Sequence, residues 1–201
     1  MPAIRAMGLV KPRWQVAIVD DHERSRAALR AAIWAARGEV VGEASRCRDA
    51  LALVERTRPT VAVFAVGLPD GDGAEAAAEV IARGICPVVL FTSHTDDSLV
   101  ERATAAGVMA YLLKPLRPAE LAPALDLAVA RWLEAQALRS RLEERKVIER
   151  AKGAMMQRHG ISEDEAFKRL RRTAMDTRRP MVEIARAVLV SESLAPQLPA
   201  K

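Results

Sequence analysis

The stretch RPTVAVFAVGLPDGDG, residues 58–73, decides the fold. Its apolar run, residues 61–66, is typical of a strand buried on both faces of a parallel sheet. The run ends in Gly67-Leu68-Pro69 and an Asp-Gly-Asp-Gly turn, as expected where such a strand enters a loop at the carboxyl edge of a sheet. The side chains at this edge are therefore the first candidates for a functional site.

Short β-rich runs alternate with segments of helix length on both sides of this strand. The alternation predicts an α/β fold with a flavodoxin-like, doubly wound, five-stranded parallel sheet. The five predicted strands are residues 15–19, 40–44, 61–66, 87–91 and 109–113.

A single long helix is predicted from residue 119 to about Arg158, because Ala, Leu, Glu, Arg and Lys dominate and Pro123 lies near the start. Seven apolar residues follow one another at steps of three and four: Leu121, Leu125, Ala128, Trp132, Ala135, Leu138 and Leu142. One interpretation is a helix that packs on its own sheet and is solvated further along. Because the stripe continues beyond the sheet domain, a two-chain coiled coil, and so a homodimer, is favoured.

A small all-α module of three helices is predicted at the end of the chain. Gly160 predicts a left-handed C-cap, and the S-x-x-E spacing from Ser162 to Glu165 predicts that the next helix starts at Ser162. Pro180 predicts the first position of another helix. The residues expected to face inward are Met155, Met156, Ala166, Phe167, Leu170, Ala174, Met175, Ile184, Val188 and Leu189.

Charge is distributed unevenly along the 201 residues. Residues 1–128 carry 15 Lys and Arg against 16 Asp and Glu, whereas residues 129–201 carry 16 against 10, which makes the C-terminal third +6. This split indicates a polyanionic partner, with a solvated basic helix face as the alternative. No apolar run approaches the length of a membrane helix, and the two cysteines lack metal-ligand spacing, so we expect a cytoplasmic protein with reduced thiols.

Polar residues follow several predicted strands: Asp20-Asp21 the first, Thr92 the fourth and Lys114-Pro115 the fifth, while Ala65 lies at the third. Over residues 14–127 this set resembles the CheY-like receiver domain of two-component response regulators. The resemblance implies that Asp20 and Asp21 bind a divalent cation such as Mg²⁺. It also implies that Thr92 and Lys114 contact a phosphoryl group, and that Tyr111 is the aromatic residue that swings inward on activation.

Ala65 stands where the resemblance places the phosphoacceptor aspartate. A methyl group is neither a nucleophile nor a metal ligand, so we expect no phosphotransfer, no enzyme activity and no required cofactor. Asp70 and Asp72 are expected to stabilise the turn rather than to take the place of the phosphoacceptor aspartate. The acidic pair either holds Mg²⁺ weakly or pairs with Lys114, and the ion pair is favoured.

The residues from Lys146 to Leu189 resemble the ANTAR module of transcription antiterminators. The likeness rests on Ile148, Ala151-Lys152-Gly153, Met155-Met156, Gly160-Ile161-Ser162, Ala166, Leu170-Arg171, Ala174-Met175, Arg179 and Ile184-Ala185. It implies binding of RNA hairpins in mRNA leaders, which prevents a terminator stem from forming.

Six basic residues are candidates for phosphate contacts or base stacking: Lys152, Arg158, Arg171, Arg172, Arg178 and Arg179. Each has a structural alternative. Lys152 can lie along its own helix, Arg169 nearby can pair with Glu165, and Arg178-Arg179 can be a solvated turn. With Phe167 expected inside, stacking is expected to come from arginine.

These inferences divide the chain into a flexible N-terminus (1–13), a receiver-like domain (14–118), a coiled-coil linker (119–145), an ANTAR domain (146–190) and a disordered tail (191–201). The predicted function is an RNA-binding transcription antiterminator, with a sensor kinase or sensor protein as a further partner. One alternative is a DNA-binding response regulator, for which residues 180–189 are too apolar to form a recognition helix. Another is a protein-interaction switch sequestered by a sensor.

Overall fold

The computed structural model describes residues 12–93 and 97–194. The predicted flexible N-terminus falls outside these ranges except for its last two residues, and so does residue 195 onward of the predicted tail. The chain divides into two compact units, with the division between residues 134 and 135, and each is described by itself.

The first unit is built on a five-stranded parallel sheet, as predicted. In chain order its strands and the small hairpin are β1 (Gln15–Val19), β2 (Glu39–Ala44), β3 (Val61–Ala65), β4 (Gly67–Leu68), β5 (Gly71–Asp72), β6 (Val88–Thr92) and β7 (Ala110–Leu113). The order in the sheet is β2-β1-β3-β6-β7, while β4 and β5 pair as an antiparallel hairpin. Each predicted strand end lies within one residue of the observed end.

Helices cover both faces of this sheet. They are α1 (Glu23–Ala35), α2 (Cys47–Thr57), α3 (Gly73–Ala82), α4 (Asp97–Ala105) and the start of α5 (Pro118–His159). Side chains of α1 and α5 pack on one face, and side chains of α2 and α3 pack on the other. Every residue of β3 is buried, in agreement with its continuous apolar sequence.

The start of α5 belongs to the core of the first unit. Leu121, Leu125 and Ala128 are fully buried and Trp132 is 8% exposed. The predicted domain boundary at residue 118 and the linker beginning at 119 are therefore wrong, because the first half of the apolar stripe packs within the first unit. Further along, Leu138 and Leu142 are more than half exposed.

The second unit comprises the rest of α5 with α6 (Glu163–Thr177) and α7 (Met181–Leu194). Gly160 has a φ of +62°, the left-handed conformation predicted for it. Ser162 is the N-cap of α6, and its hydroxyl accepts a hydrogen bond from the Glu165 N–H. The helix α7 continues to Leu194, so the predicted tail does not begin at residue 191.

A small core holds the three helices together. Its fully or nearly buried residues are Ala151, Met155, Ala166, Leu170 and Ala185. Three residues predicted to face inward do not: Met156 and Phe167 are 37% exposed and Met175 is 68% exposed. With mostly small core residues such as alanine, the inner stripe of α6 is narrow and leaves the larger side chains at its margin. Within the described ranges, no helix is both long and apolar enough to span a membrane.

Gly73, the first residue of α3, gives a test of this packing. A Cβ at this position would lie 1.8 Å from the carbonyl oxygen of Ala65, which cannot move without distorting β3. We expect Gly73→Ala to destabilise the first unit by at least about 3 kcal/mol. All three tryptophans lie in that unit, so chemical unfolding followed by tryptophan fluorescence measures the change.

Gly67→Ala is the matched control, because a Cβ there meets no atom within 4 Å. Its free energy of unfolding is expected to stay within about 0.5 kcal/mol of the parent. Equal stability of the two variants would contradict the close approach of Gly73 to β3.

Candidate functional site

The strand register brings the predicted receiver residues to one edge of the sheet. The paired residues nearest this edge are Val19 with Phe64, Ala65 with Phe91, and Thr92 with Leu113. Asp20 therefore follows β1 beside Ala65, and Lys114 follows β7 beside Thr92. Residues separated by more than 90 positions thus form one row across the carboxyl ends of four strands.

An ion pair spans this row. The Lys114 Nζ lies 2.7 Å from Asp20 Oδ2, and the Asp20 side chain is only 1% exposed. Oδ2 nevertheless has no partner with hydrogen-bond geometry, so the contact is a close charge pair without good alignment. The ammonium also lies 5.0 Å from the centroid of the Phe91 ring. The ion pair favoured from the sequence is present.

Asp21 and His22 lie next to this pair. The His22 N–H donates to Asp20 Oδ1 at 2.8 Å, and His22 Nδ1 lies 2.7 Å from Asp21 Oδ1. One ligand atom from each of the three residues fits within 4.8 Å. Mg²⁺ prefers a near-octahedral set of oxygens, and this cluster offers two carboxylates, one of them already paired with Lys114. The donor set does not fit a magnesium site for phosphoryl transfer.

Ala65 is 1% exposed, and among the described residues no carboxylate takes the place of an acceptor there. Asp70 accepts hydrogen bonds from the N–H groups of Cys47 and Arg48 at the start of α2. Burial acts to raise the pKa of Asp70, but backbone N–H donors, among them those of Cys47 and Arg48, and the nearby Arg46 charge lower it, so the net shift is downward. Asp72 caps α3 through the Ala74 N–H at 2.7 Å. Both aspartates serve local structure, as predicted.

Thr92 and Tyr111 differ in their surroundings. Thr92 is 6% exposed, and its carbonyl accepts a hydrogen bond from the Lys114 N–H at 2.7 Å. Tyr111 is 52% exposed, so its ring points away from the interior of the first unit.

Lys152 in the second unit lies in a different environment from the one predicted for an RNA contact. The residue is 7% exposed, and its ammonium is 2.8 Å from Glu149 and 2.7 Å from Glu163. The hydrogen bonds that Lys152 donates to Glu149 and to Glu163, in that order of effect, raise the pKa of Lys152. Lys152 ties α5 to the start of α6, and we withdraw it as a candidate for contacting RNA.

A surface groove of about 590 Å³ lies where α6 meets α7. Its lining combines apolar and basic side chains: Phe167, Arg171, Ala174, Met175, Arg178, Arg179, Pro180 and Met181. Phe167, Arg171 and Met175 are spaced by four, so they form one stripe beside the buried stripe of α6. The spacing of four between these residues was the pattern in the sequence from which the position of Phe167 beside the arginines could have been predicted.

The turn after α6 places two of these arginines. The backbone of Arg178 is in the left-handed conformation, with φ of +54°. The backbone N–H groups of Arg178 and Arg179 donate hydrogen bonds to carbonyls in the last turn of α6. Arg171, Arg178 and Arg179 have no ion-pair partner among the residues that the structure describes. Their charges are available at the groove.

The other basic residues of α6 lie outside the groove and are paired. Arg169 donates to Glu165 at 2.8 Å, as its alternative interpretation predicted, and Lys168 pairs with Asp164. Arg172 lies 3.8 Å from Asp176. Arg158, on α5, does not line the groove.

A doubly wound sheet with Asp20, Thr92 and Lys114 at one edge defines the receiver class of signalling proteins. Family models agree: the response regulator receiver domain matches residues 16–126 and the ANTAR domain matches residues 136–189. The chain therefore belongs to the response regulators and carries a C-terminal ANTAR domain. Both resemblances inferred from the sequence are confirmed.

Relatives match over one or both domains. The transcriptional regulatory protein PdtaR of Mycobacterium tuberculosis is 43% identical over 158 residues, which cover 75% of this chain and 77% of PdtaR. The nitrate regulatory protein of Klebsiella oxytoca is 49% identical over 57 residues, or 28% of this chain and 14% of that protein.

Solved structures resemble the receiver. A LuxR-family response regulator from Aurantimonas is 30% identical, with a TM-score of 0.54 over 58% of this chain and 85% of its own. The receiver domain of a modulated diguanylate cyclase from Desulfovibrio desulfuricans is 26% identical, with a TM-score of 0.57 over 61% and 98%.

Restoring a carboxylate at residue 65 tests the edge of the sheet. We expect the parent chain to take up no phosphoryl group from acetyl phosphate, and Ala65→Asp to become phosphorylated, because Lys114 and Thr92 remain in the row. Phos-tag electrophoresis and intact-mass measurement detect the product.

Ala65→Asn is the control, since it matches the shape of aspartate without its nucleophilic carboxylate. It is expected to remain unmodified. Equal labelling of the parent and Ala65→Asp would show that the acceptor is another residue.

Proposed function

We propose that this protein is a cytoplasmic RNA-binding transcription antiterminator that holds hairpin loops in mRNA leaders and keeps a terminator stem from forming. The observation that carries the proposal is the groove between α6 and α7, where an exposed aromatic ring lies among three arginines that have no ion-pair partner in the described part of the chain. The ANTAR match and the regulatory role named for PdtaR support the same class of function.

The groove suits an unpaired base. Phe167 is 37% exposed and Met175 is 68% exposed, so both offer apolar surface on which a base can stack. Sequence-specific recognition of RNA mostly uses loop bases that are splayed out and stacked on aromatic or guanidinium planes. Stacking on Phe167 therefore joins the arginine contacts that the sequence alone suggested.

The charge of the module suits the phosphate backbone. Residues 129–201 carry a net charge of +6, and within residues 12–93 and 97–194 the arginines of the groove make no ion pair that RNA would have to break. By contrast, Lys168 and Arg169 already pair with carboxylates of their own helix. Phosphate contacts are therefore assigned to Arg171, Arg178 and Arg179 rather than to the other cations of α6.

Control of this activity is proposed to come from outside the phosphoryl pathway. Ala65 offers no acceptor, and the Asp20–Lys114 pair fixes the edge of the sheet. The input that controls RNA binding is then a sensor protein or a second copy of the chain that pairs through α5. Two modules in a homodimer would bind two hairpins of one leader with increased avidity.

The DNA-binding alternative is weaker. A recognition helix needs several polar side chains toward base edges, and the first ten positions of α7 offer only Glu183 and Arg186. The protein-interaction switch is compatible with the basic surface, but an acidic partner does not require the exposed Phe167. Competition between RNA and duplex DNA separates these functions.

Phe167→Ala tests the stacking role. We expect the Kd for a hairpin RNA to rise about 5- to 150-fold, because base stacking on an aromatic contributes about 1–3 kcal/mol. Fluorescence anisotropy with a labelled hairpin measures the effect, and duplexes of equal length in RNA and DNA are the competitors. Lys168→Ala, a neighbour outside the groove, is the control and should change Kd less than about threefold.

Equal affinity of the protein for the hairpin and for the duplexes would refute loop binding.

Arg171→Ala tests the phosphate contact. The plot of log Kd against log salt concentration should lose about one unit of slope when one phosphate contact is removed. Arg169→Ala, whose cation is paired with Glu165, should leave the slope unchanged. A parallel shift of the Arg171→Ala line with no change in slope would assign Arg171 to the groove wall instead.

A further inference from the structure

Trp34, near the end of α1, lies on the surface of the first unit. It is 80% exposed, while the other two tryptophans, Trp14 and Trp132, are 3% and 8% exposed. A single exposed apolar residue is ordinary on a protein surface. Trp34, however, lines a cavity of about 490 Å³, which we call the Trp34 groove; its lining is Pro12, Arg30, Trp34, Gly38, Glu39 and Val40.

The Trp34 groove includes the start of an open edge of the sheet. β2 is the first strand in the order β2-β1-β3-β6-β7, so one of its edges has no strand partner among the described residues. The Glu39 N–H donates to the Trp14 carbonyl at 2.8 Å, which places the backbone groups of Glu39 on the β1 side. Neighbouring residues of a strand direct their backbone groups to opposite edges, so the N–H of Val40 faces the open edge. An edge of this kind can accept an added strand.

The Trp34 groove lies at the other end of the sheet from Ala65. Pro12 precedes β1 and Gly38 precedes β2, so both mark the amino ends of the strands. Ala65 and Lys114 lie at carboxyl ends. The Trp34 groove is therefore separate from the row of receiver residues, and it does not depend on a phosphoacceptor.

The charges of the lining select the kind of segment that fits. Arg30 is already engaged: its guanidinium donates to both carboxylate oxygens of Glu43 at 2.8 Å and also pairs with Glu23. Glu39 is exposed and has no ion pair within residues 12–93 and 97–194. The neighbouring Arg37 is not part of the lining. The uncompensated charge of the Trp34 groove is therefore negative.

A carboxylate beside an exposed indole ring favours a cation. Arginine suits the pair best, because its planar guanidinium stacks on an aromatic face while its N–H groups donate to a carboxylate. In an added strand, a basic side chain opposite Glu39 would also form a favourable cross-strand pair.

We propose that the Trp34 groove is a docking site for an extended segment of a partner protein that carries an arginine. The segment adds a strand to the open edge of β2, and its arginine stacks on Trp34 and pairs with Glu39. A second copy of β2 is a poor occupant, because the charged residues of this strand are both glutamates and two such strands would repel each other. The sensor protein of the proposed function is the partner that such a site would serve, and only this last assignment rests on that function.

Titration of the full-length protein with short peptides, in the absence of RNA, tests the site. The probe is a fluorescein-labelled peptide of seven residues, in which threonine and valine alternate around a central arginine. The control peptide carries citrulline, which has nearly the same shape as arginine but no charge. Fluorescence anisotropy should give a Kd about 3- to 30-fold lower for the arginine peptide, from one cation–aromatic contact and one ion pair at an exposed site.

Substitutions locate the contact. Trp34→Ala should raise the Kd of the arginine peptide, and Glu39→Arg should reverse the preference, so that a peptide with a central glutamate binds more tightly than the arginine peptide. Leu113→Ala, an exposed apolar residue of β7 at the other end of the sheet, is the control and should leave the Kd unchanged.

Amide hydrogen exchange, measured by NMR, tests the addition of a strand. Saturation with the arginine peptide should slow the exchange of the Val40 N–H, which faces the open edge. The Glu39 N–H already donates to Trp14 and should change little, so it is the internal control.

Four results would overturn the proposal. Absence of binding at millimolar concentration, or equal affinity for the arginine and citrulline peptides, removes the cation as the recognised group. A Kd that is unchanged in Trp34→Ala places the peptide elsewhere, and unchanged exchange at Val40 excludes an added strand. A dimer dissociation constant that rises in Trp34→Ala, measured by sedimentation equilibrium, makes a second copy the occupant. RNA binding by these variants tests the proposed function and does not enter this decision.

Discussion

The burial of β3 between two helical layers is the constraint on which the first unit depends. Every side chain of this strand is inaccessible, and the chain leaves it by a route so close that Gly73 contacts the Ala65 carbonyl. Little can move at the end of β3 without moving the sheet. The residue at position 65 therefore determines what chemistry the edge supports, and an alanine there removes the nucleophile while leaving the surrounding geometry in place.

The rest of the edge compensates for that alanine. A buried carboxylate such as Asp20 is costly unless a positive charge accompanies it, and Lys114 supplies this charge from the neighbouring end of β7. In the family that the sequence resembles, the lysine contacts a phosphoryl group. Here the Lys114 side chain is 22% exposed and its ammonium lies 2.7 Å from Asp20, so the buried carboxylate has a positive charge from within the chain.

The sequence predicted most of the fold because strands and caps depend on local patterns. The ends of all five strands follow from β-rich runs, and Gly160 and Ser162 mark the break between α5 and α6. The pattern could not divide the long stripe of α5, because a helix that packs on a sheet and a helix that pairs with another helix have the same apolar spacing. That ambiguity explains the misplaced linker boundary.

The candidate site was predicted less well for a related reason. Lys152 and Arg171 are similar in sequence terms, but Lys152 lies where Glu149 and Glu163 converge, and only three-dimensional structure shows this. Phe167 was assigned to the core because apolar residues usually are. Three of the five buried core residues of the second unit are alanines, and Phe167 lies outside this core, beside the arginines of the groove.

A receiver without an acceptor needs another source of free energy to control the module. A ligand shifts an equilibrium only by the difference in its affinity for the two states, so the candidates are RNA and the second copy. If one leader RNA engages two modules, it favours the dimer, and by linkage the dimer binds that RNA more tightly. Protein concentration then exerts part of the control that phosphorylation exerts in other response regulators. Under the proposed function, an output of this kind would respond to the amounts of chain and RNA together, with the edge at Ala65 as a fixed scaffold.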